Sequence, residues 1–339
     1  MMPDLSPKFI QTIQNAFQDE GTSWLEALPA LLEEACARWG LTDIRPVPNL
    51  SYNFVAFALS GVSDSERSRS AALSSRPSTT PPRTRGSAHL CLQHWRGQER
   101  VVLKLGVPNR ELTSEIAALR LYDGRGACRL LDADAEKGML LLERLQPGHM
   151  LARLEDDIRA TEIGADVMRR LWQPVPEDKD KFILLKDWFK GVSRLRKRYN
   201  GRTGPLPKRL VETAEALSTD LLAENKDEVL LHGDFHHFNV LESARGWLAI
   251  DPKGVVGPRG YEVGPFLINP NNRFLNGSNP RVQTEKRIAI LSERLDMERE
   301  RIRSWAICHA ILSALWSFED NEPGWGEYSL RCAEIFMQV

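Results

Sequence analysis

The stretch that decides the fold is His232-Gly-Asp-Phe-His-His-Phe-Asn239, followed after a short apolar run by Asp251-Pro-Lys-Gly254. Asp234 and Asn239 stand five positions apart, and Asp251 follows Asn239 by twelve. Phosphoryl transfer requires a carboxylate against the attacking hydroxyl and hard oxygen ligands that hold Mg²⁺ beside the phosphates. Any one of these side chains could be a simple cap or turn residue. The three together, each at a predicted strand end, favour a phosphoryl-transfer site.

A second signal is a charged residue inside an apolar strand. The run Arg100–Leu105 reads Arg-Val-Val-Leu-Lys-Leu, and Lys104 is the one charge among its aliphatic residues. A buried ammonium is costly unless it is paired, and the helix predicted over Arg110–Tyr122 offers Glu115 as its partner, with Glu111 one turn earlier as the alternative. Such a lysine could meet the α- and β-phosphates of a nucleotide. The other interpretation is an edge-strand lysine whose charged end reaches solvent.

Apolar periodicity on either side of these residues predicts the order of the elements. Helices are expected at Trp24–Trp39, Arg110–Tyr122, Phe182–Tyr199, Pro207–Leu222 and within Thr284–Met337. Strands are expected at Asn53–Leu59, Arg100–Leu105, Gly138–Leu145, Val229–Leu231 and Trp247–Ile250. Strands with one helix are thus followed by helices around a small β insert, which predicts an α+β, two-lobed fold rather than alternating βαβ units.

Two features divide the chain. The pair Pro147-Gly148 breaks the apolar pattern, so an N-terminal lobe over residues 1–146 and a C-terminal lobe over residues 147–339 are expected. Between Gly61 and Ala88 lie eight serines, three prolines and five arginines. A segment of this composition buries too little surface to offset its ordering entropy, so it is predicted to be a flexible insert of the N-terminal lobe.

The composition excludes several classes of protein. The chain has 339 residues, 42% of them hydrophobic and 27% charged, and a formal net charge of -1, which gives no whole-chain attraction to nucleic acid or to an anionic membrane. The five cysteines form no Cys-x-x-Cys pair, which argues against a disulfide framework or a thiolate zinc site. The sequence has neither a signal-peptide pattern at its start nor an apolar run near the roughly 18 residues of a spanning helix. A cytoplasmic protein without nucleic-acid or membrane partners is therefore expected.

Several longer stretches carry a resemblance to a known family. They are Asn49-Leu-Ser-Tyr-Asn53, Val101-Val-Leu-Lys-Leu-Gly-Val-Pro-Asn109, Glu115-Ile-Ala-Ala-Leu119, Tyr122-Asp-Gly-Arg-Gly126, Leu140-Leu-Leu-Glu-Arg144, Leu231-His-Gly-Asp234 and Leu248-Ala-Ile-Asp-Pro-Lys-Gly254. The chain resembles the aminoglycoside phosphotransferases, most closely the streptomycin 6-kinase and hydroxyurea kinase group, over most of its length from Trp24 to Trp316.

This resemblance implies a protein-kinase-like fold that binds ATP in a cleft between its lobes. It implies that Asp234 is the catalytic aspartate, which orients the acceptor hydroxyl and takes its proton. It further implies that Asn239 and Asp251 are the Mg²⁺ ligands. Lys104 would bind the phosphates, with Glu115 as its partner on the helix.

The resemblance also assigns residues around the nucleotide. Ser51, Tyr52 and Asn53 would form the turn that covers the phosphates, in place of a glycine-rich loop. The backbone near Glu143 and Leu145 would meet the adenine, an interaction that leaves GTP open as an alternative to ATP.

Two further residues follow from the comparison with the family. Glu262, in Tyr261-Glu-Val-Gly264, is expected to brace the catalytic loop rather than to act in catalysis. Phe238 departs from the family, since relatives usually have glycine directly before the metal-binding asparagine. If that position needs positive φ, phenylalanine would strain the loop and impair metal placement.

The acceptor is the least defined part of the prediction. Trp316, Glu319 and Asp320 are candidates to bind it, because carboxylates can pair with the guanidinium groups of a cationic sugar such as streptomycin; a polar helix end is an equally good interpretation. Three functions stay open. The first is a kinase for a streptomycin-like aminoglycoside, and the second is a kinase for another small polar metabolite such as hydroxyurea, an amino alcohol or a sugar. The third is a non-catalytic nucleotide-binding module, for which Phe238 is the only support.

Overall fold

The computed structural model describes residues 5–61, 98–223, 227–277 and 279–339. Apart from Gly61, the segment predicted to be a flexible insert lies outside these residues. The helices are α1 Pro7–Trp39, α2 Arg110–Tyr122, α3 Asp157–Leu171, α4 Leu185–Arg198, α5 Lys208–Ala223, α6 Val263–Leu267, α7 Asn271–Phe274, α8 Pro280–Leu295, α9 Arg299–Glu319 and α10 Pro323–Phe336. The strands are β1 Leu41–Pro46, β2 Asn53–Ser60, β3 Glu99–Gly106, β4 Leu130–Asp134, β5 Met139–Glu143, β6 Pro147–Met150, β7 Gln173–Pro174, β8 Ile183–Leu184, β9 Glu228–Leu231, β10 Val240–Ser243, β11 Gly246–Ala249 and β12 Val255–Pro258.

The chain divides into two compact units. The first comprises the residues up to Pro108 together with Leu130–Arg144, and the second comprises Asn109–Arg129 together with Leu145–Val339. The last crossing between the units therefore lies beside the expected boundary at residue 146, whereas α2, expected in the N-terminal lobe, belongs to the second unit. The reason is local bonding, since the Ser114 hydroxyl on α2 donates to the carbonyl of Gly254 at 2.6 Å.

The first unit is an antiparallel sheet with α1 packed on one face. The strand order is β1-β2-β3-β5-β4, and alternate residues of β2 are buried, so that Phe54 and Ala56 join Trp24 and Trp39 of the helix in one core. The helix is interrupted at Gln18, which has φ 52° and ψ −125°. It ends at residue 39 as predicted, because the next residue is a glycine in the left-handed conformation, with φ 58°.

The second unit is mostly helical. Its centre is α9, which is buried along most of its length and packs against α10, α5, α6, α4 and α8. Arg287 of α8 is almost completely buried, and its guanidinium pairs with Asp157 at the start of α3 and donates to the carbonyl of Asn269 at 2.7 Å. Of the helices in the described ranges, none combines the length and the apolar character needed to cross a membrane.

Two small sheets in this unit hold the strands next to the predicted site. The order of the first is β11-β10-β6 and that of the second is β7-β9-β12-β8. The motif Tyr122-Asp-Gly-Arg-Gly126 fixes the end of β11, because the carbonyl of Gly126 accepts from the N–H of Ala249 at 2.8 Å and the N–H of Cys128 donates to the carbonyl of Ala249 at 2.8 Å. These bonds hold one edge of the strand that leads into Asp251, and β10 pairs with its other edge.

Candidate active site

Asp234, Asn239 and Asp251 come together in the second unit because two adjacent strands meet there. β9 and β12 are antiparallel and place Leu231 opposite Val255, so the loop that leaves β9 and the segment that enters β12 lie side by side. Two backbone hydrogen bonds join them: the N–H of Lys253 donates to the carbonyl of His232 at 2.7 Å, and the N–H of Ile250 donates to the carbonyl of Asn239 at 2.9 Å.

His232 ties the two segments together through its ring. Its Nδ1 accepts the backbone N–H of Asp234 at 3.2 Å, and its Nε2 lies 2.9 Å from the carbonyl of Ile250. Since a carbonyl can only accept, the proton of the neutral ring belongs on Nε2. Burial lowers the pKa of His232 to about 4, which keeps the imidazole in the neutral form that this arrangement requires.

Glu262 braces the loop, as predicted. Its side chain is completely buried, and its two carboxylate oxygens accept the backbone N–H groups of His232 at 2.8 Å and Gly233 at 2.9 Å. Burial raises the pKa of Glu262 to about 7, and the two hydrogen bonds oppose this rise only in part. The first two peptide units of the loop are therefore held by one buried side chain.

Asp234 presents its carboxylate beyond this braced segment. The side chain is 40% exposed, and its Oδ1 lies 3.6 Å from Nε2 of His236. Burial by itself raises the pKa of Asp234, but electrostatic interactions with His236 and Lys253 outweigh it, so the pKa lies below its usual range. The carboxylate is thus ionised at neutral pH, a state in which it can accept a hydrogen bond from a hydroxyl.

Asn239 and Asp251 offer oxygen atoms of the kind that Mg²⁺ prefers. The amide Nδ2 of Asn239 donates to the backbone carbonyl of Asp234 at 3.0 Å, so Oδ1 is the atom this side chain can give to a cation. Asp251 has φ 61°, a left-handed conformation that costs about 1–3 kcal/mol in a residue other than glycine and is typical of functional positions. Mg²⁺ is usually held by one or two protein oxygens plus phosphates and water, so these two ligands fit it.

The condition under which Phe238 would strain the loop, a positive φ at this position, is not met. Among the residues that the structure describes, Phe238 is not one of the non-glycine residues with positive φ. Its ring packs edge-on against His236, with the ring centroids 5.9 Å apart. Phenylalanine therefore fits the loop without backbone strain, and the only support for a non-catalytic module is removed.

One face of α2 packs on the Asp251–Gly254 segment, an arrangement that sequence reasoning missed. Ser114 donates to the carbonyl of Gly254, which has φ 65° and approaches the helix so closely that a Cβ there would lie 2.5 Å from the Ser114 carbonyl oxygen. Glu111, one turn earlier, lies 3.4 Å from Nζ of Lys253. The sequence signal that could have identified Lys253 was its position within the motif Asp251-Pro-Lys-Gly254.

The other predicted nucleotide-binding residues belong mainly to the first unit. Lys104 is buried in β3 between Val55 of β2 and Leu140 of β5, as its apolar surroundings predicted. Its pairing with Glu115 stays a prediction, since Glu115 belongs to the second unit. Asn53 begins β2, directly after Ser51 and the half-exposed Tyr52, and Glu143 ends β5 opposite Val101. Leu145 is buried at the start of the long segment of the second unit.

The candidate acceptor residues lie at the C-terminal end of α9, beside an aromatic group. Trp316 is half-buried and packs edge-on against Trp188 of α4, with ring centroids 5.2 Å apart, while Glu319 and Asp320 are exposed. Trp188 packs in turn on Tyr261, next to the brace Glu262, at 5.9 Å. Trp188 was missed because it lies within an apolar helical pattern that does not distinguish it from core residues.

A sheet-based first unit, a helical second unit, and the loops of the second unit that carry Asp234, Asn239 and Asp251 are the features of a protein-kinase-like phosphotransferase. A family model described as "Aminoglycoside/hydroxyurea antibiotic resistance kinase" matches residues 73–321. The chain belongs to this family, which confirms the resemblance and the fold expected from the sequence.

Individual relatives agree with this assignment. The chain is similar to streptomycin 6-kinase of Streptomyces glaucescens, with 31% identity over 314 residues that cover 90% of this chain and 88% of the relative. It is also similar to hydroxyurea phosphotransferase of Kitasatospora aureofaciens, with 35% identity over 241 residues, 69% of this chain and 67% of the relative. A solved structure of a thermostable variant of aminoglycoside phosphotransferase APH(4)-Ia, in complex with ADP and hygromycin B, has the same fold, with a TM-score of 0.57 at 14% identity over 90% of this chain and 97% of that one.

Proposed function

We propose that this protein transfers the γ-phosphoryl group of ATP to a hydroxyl of a streptomycin-like aminoglycoside, with Mg²⁺ as cofactor. The observation that carries the proposal is the braced, ionised Asp234, which lies in one hydrogen-bonded loop system with Asn239 and Asp251. A kinase reaction depends mainly on positioning and charge stabilisation. A rigid loop with these oxygen groups provides the positioning.

The residues take the following roles in this proposal. Asp234 orients the acceptor hydroxyl and accepts its proton, while Oδ1 of Asn239 and the carboxylate of Asp251 hold the metal, which supplies positive charge beside the phosphates. Lys104 binds the phosphates and Glu115 holds Lys104. The loop from Ser51 to Asn53 covers the phosphates, and the backbone at Glu143 and Leu145 meets the adenine.

The choice of nucleotide and location follows from the family. The related phosphotransferase of known structure holds ADP, which supports ATP as the phosphoryl donor here. An ATP-dependent kinase needs the nucleotide supply of the cell interior, so we propose that the protein acts in the cytoplasm on a small molecule and has no nucleic-acid or membrane partner.

The end of α9 supports a cationic acceptor. The pair of half-buried tryptophans, Trp188 and Trp316, presents aromatic surface next to the exposed carboxylates of Glu319 and Asp320. Cations bind both to aromatic faces and to carboxylates. A sugar that carries guanidinium groups, such as streptomycin, has the chemistry for this surface.

A second candidate acceptor is hydroxyurea, a much smaller molecule. The observation that favours it is the 35% identity to a hydroxyurea phosphotransferase. Hydroxyurea is uncharged and offers a hydroxyl to the same Asp234. If it is the acceptor, the carboxylates at the end of α9 do not contribute to its binding.

The experiment is transfer from γ-labelled ATP by the purified protein to streptomycin, hygromycin B, hydroxyurea, choline and a sugar, with the mass and position of the product determined. We expect a monophosphate of streptomycin. Asp234→Ala should lower turnover by about 10²–10⁴-fold, the usual contribution of a catalytic base, and leave ATP affinity within about twofold; Asp220→Ala, an exposed residue of α5, is the matched control. Near-normal turnover of Asp234→Ala, or product from hydroxyurea alone, would contradict the proposal.

A further inference from the structure

Lys253 has a backbone position fixed against the catalytic loop. Its N–H donates to the carbonyl of His232 at 2.7 Å. Gly233 lies so close that a Cβ built there would be 3.2 Å from Cβ of Lys253. The backbone and Cβ of Lys253 are therefore fixed beside Gly233, the residue that precedes Asp234. This holds wherever the ammonium points.

The ammonium of Lys253 lies among carboxylates. Nζ is 3.4 Å from Oε2 of Glu111 on α2, and the lysine side chain is 33% exposed. The charges of Asp251 and Asp234 also act on it, together with that of Glu115. This ammonium offsets part of the negative charge around it, which would otherwise oppose the binding of a polyanionic phosphate beside Asp234.

The ion pair with Glu111 does not explain this lysine by itself. Glu111 is 56% exposed, and pairs this accessible to solvent contribute at most about 1 kcal/mol to stability. A partner held so weakly can be exchanged for a phosphate oxygen without a large cost. The structure thus provides a cation whose backbone position is fixed, whose four-carbon side chain has rotatable bonds, and whose partner is weakly bound.

We propose that Lys253 is a catalytic residue that leaves Glu111 and binds the phosphoryl group during its transfer. The inference rests on the proposed kinase function. In the step, the bond from the γ-phosphorus to the bridging oxygen of ADP breaks while a bond to the acceptor oxygen forms. The hydroxyl proton passes to Asp234, and Lys253 keeps its three protons and donates to the non-bridging oxygens. Its role is to stabilise negative charge where that charge develops.

Two variants separate this role from a structural one. Lys253→Met removes the ammonium, and Glu111→Gln removes only its resting partner. We expect Lys253→Met to lower kcat by about 10²–10³-fold, the effect of removing one donor to a developing charge. Lys253→Arg should recover part of this loss, and Glu111→Gln should change kcat by less than about fivefold. Lys208→Met, which breaks an exposed pair with Glu212 on α5, is the matched control.

A binding measurement tests the inference without turnover. Calorimetry would give the Kd of MgADP with and without aluminium fluoride, a mimic of the transferring phosphoryl group. Wild type should bind MgADP at least tenfold more tightly with aluminium fluoride. Lys253→Met should lose this gain and keep its Kd for MgADP within about threefold, with a melting temperature near that of wild type; if Lys253→Met does not fold, Lys253→Gln is measured in its place.

The outcomes are distinguishable. Loss of the aluminium fluoride effect in Lys253→Met but not in Glu111→Gln supports the inference, even if no tested acceptor is phosphorylated and the proposed acceptor is wrong. Equal losses in the two variants, or an unchanged effect in Lys253→Met, would overturn it and leave the lysine with a structural role. Absence of the effect in wild type would overturn both the inference and the kinase proposal.

Discussion

The carboxylate of Glu262 accepts the backbone N–H of His232 at 2.8 Å, so a residue that follows β12 fixes the first peptide of the loop that carries Asp234. The other carboxylate oxygen accepts the N–H of Gly233. In Glu262→Ala both donors are buried without an acceptor, and each costs about 1–3 kcal/mol. We expect the free energy of unfolding, measured with urea, to fall by about 2–5 kcal/mol. Glu262→Gln keeps one carbonyl acceptor and should lose about half as much. Equal losses in the two variants would contradict this expectation, because the isosteric Glu262→Gln leaves no cavity and keeps one of the two acceptors.

Glu262 also makes stability depend on pH. Its pKa is about 7 in the folded protein because of burial, against an ordinary value of 4.5. Between pH 4.5 and 7, the carboxyl group of Glu262 therefore holds a proton in the folded state that it has lost in the unfolded state. The stability that this proton contributes is fully present below about pH 4.5 and is lost as the pH rises through 7. Relative to Glu262→Gln, wild type should lose about 3 kcal/mol of unfolding free energy between pH 4.5 and 7.

The measurement is urea unfolding of both proteins at several values of pH from 4.5 to 8. His232 titrates with a pKa of about 4 in the folded state, but it is present in both proteins and cancels in the difference. A difference in unfolding free energy that stays constant over this range would mean that Glu262 is ionised throughout.

The close approach of α2 to Gly254 predicts a large effect of a small substitution. Gly254→Ala combines a left-handed conformation at φ 65° with a Cβ that would lie 2.5 Å from the carbonyl oxygen of Ser114. Either α2 or the Asp251 loop has to move, so we expect turnover to fall by at least tenfold and the melting temperature to drop. Gly201→Ala is the matched control, because Gly201 has φ 82° but no atom within 4 Å of the added Cβ. It should lose only the conformational cost of about 1–2 kcal/mol and keep its turnover. Similar turnover in both variants would show that the contact with Ser114 has no role in placing Asp251.

The parts of the site that sequence reasoning predicted are those determined by local patterns. The spacing of Asp234, Asn239 and Asp251 depends on a hairpin whose strands are readable as short apolar runs, and α2 was predicted with its observed bounds because Asn109 caps it and its apolar face is regular. Glu262, in contrast, was assigned from the family resemblance and not from a local pattern.

The parts that were missed depend on contacts between distant segments. Lys253 and Glu111 are 142 positions apart, and nothing in either segment alone indicates that α2 packs on the Asp251 loop. Trp188 contacts Trp316 across two helices, within an apolar pattern that also fits core packing. The sequence likewise left open whether Phe238 needs a positive φ, because residue type alone does not determine a backbone angle; the structure shows that it does not.

The end of α9 predicts how the acceptor is discriminated. If Asp320 pairs with a guanidinium group of the acceptor, Asp320→Asn removes an exposed charged pair worth at most about 1 kcal/mol. The KM for streptomycin should then rise by about two- to fivefold while kcat stays unchanged, because the interaction is equally strong before and during transfer. The KM for an uncharged acceptor such as hydroxyurea should not change in Asp320→Asn. The control Asp220→Asn on α5 should leave the KM of both acceptors unchanged. Raising the salt concentration should reduce the difference between Asp320→Asn and wild type, since an exposed pair is screened. An unchanged KM for streptomycin would place its cationic groups away from α9 and leave Trp316 as a core residue of the second unit.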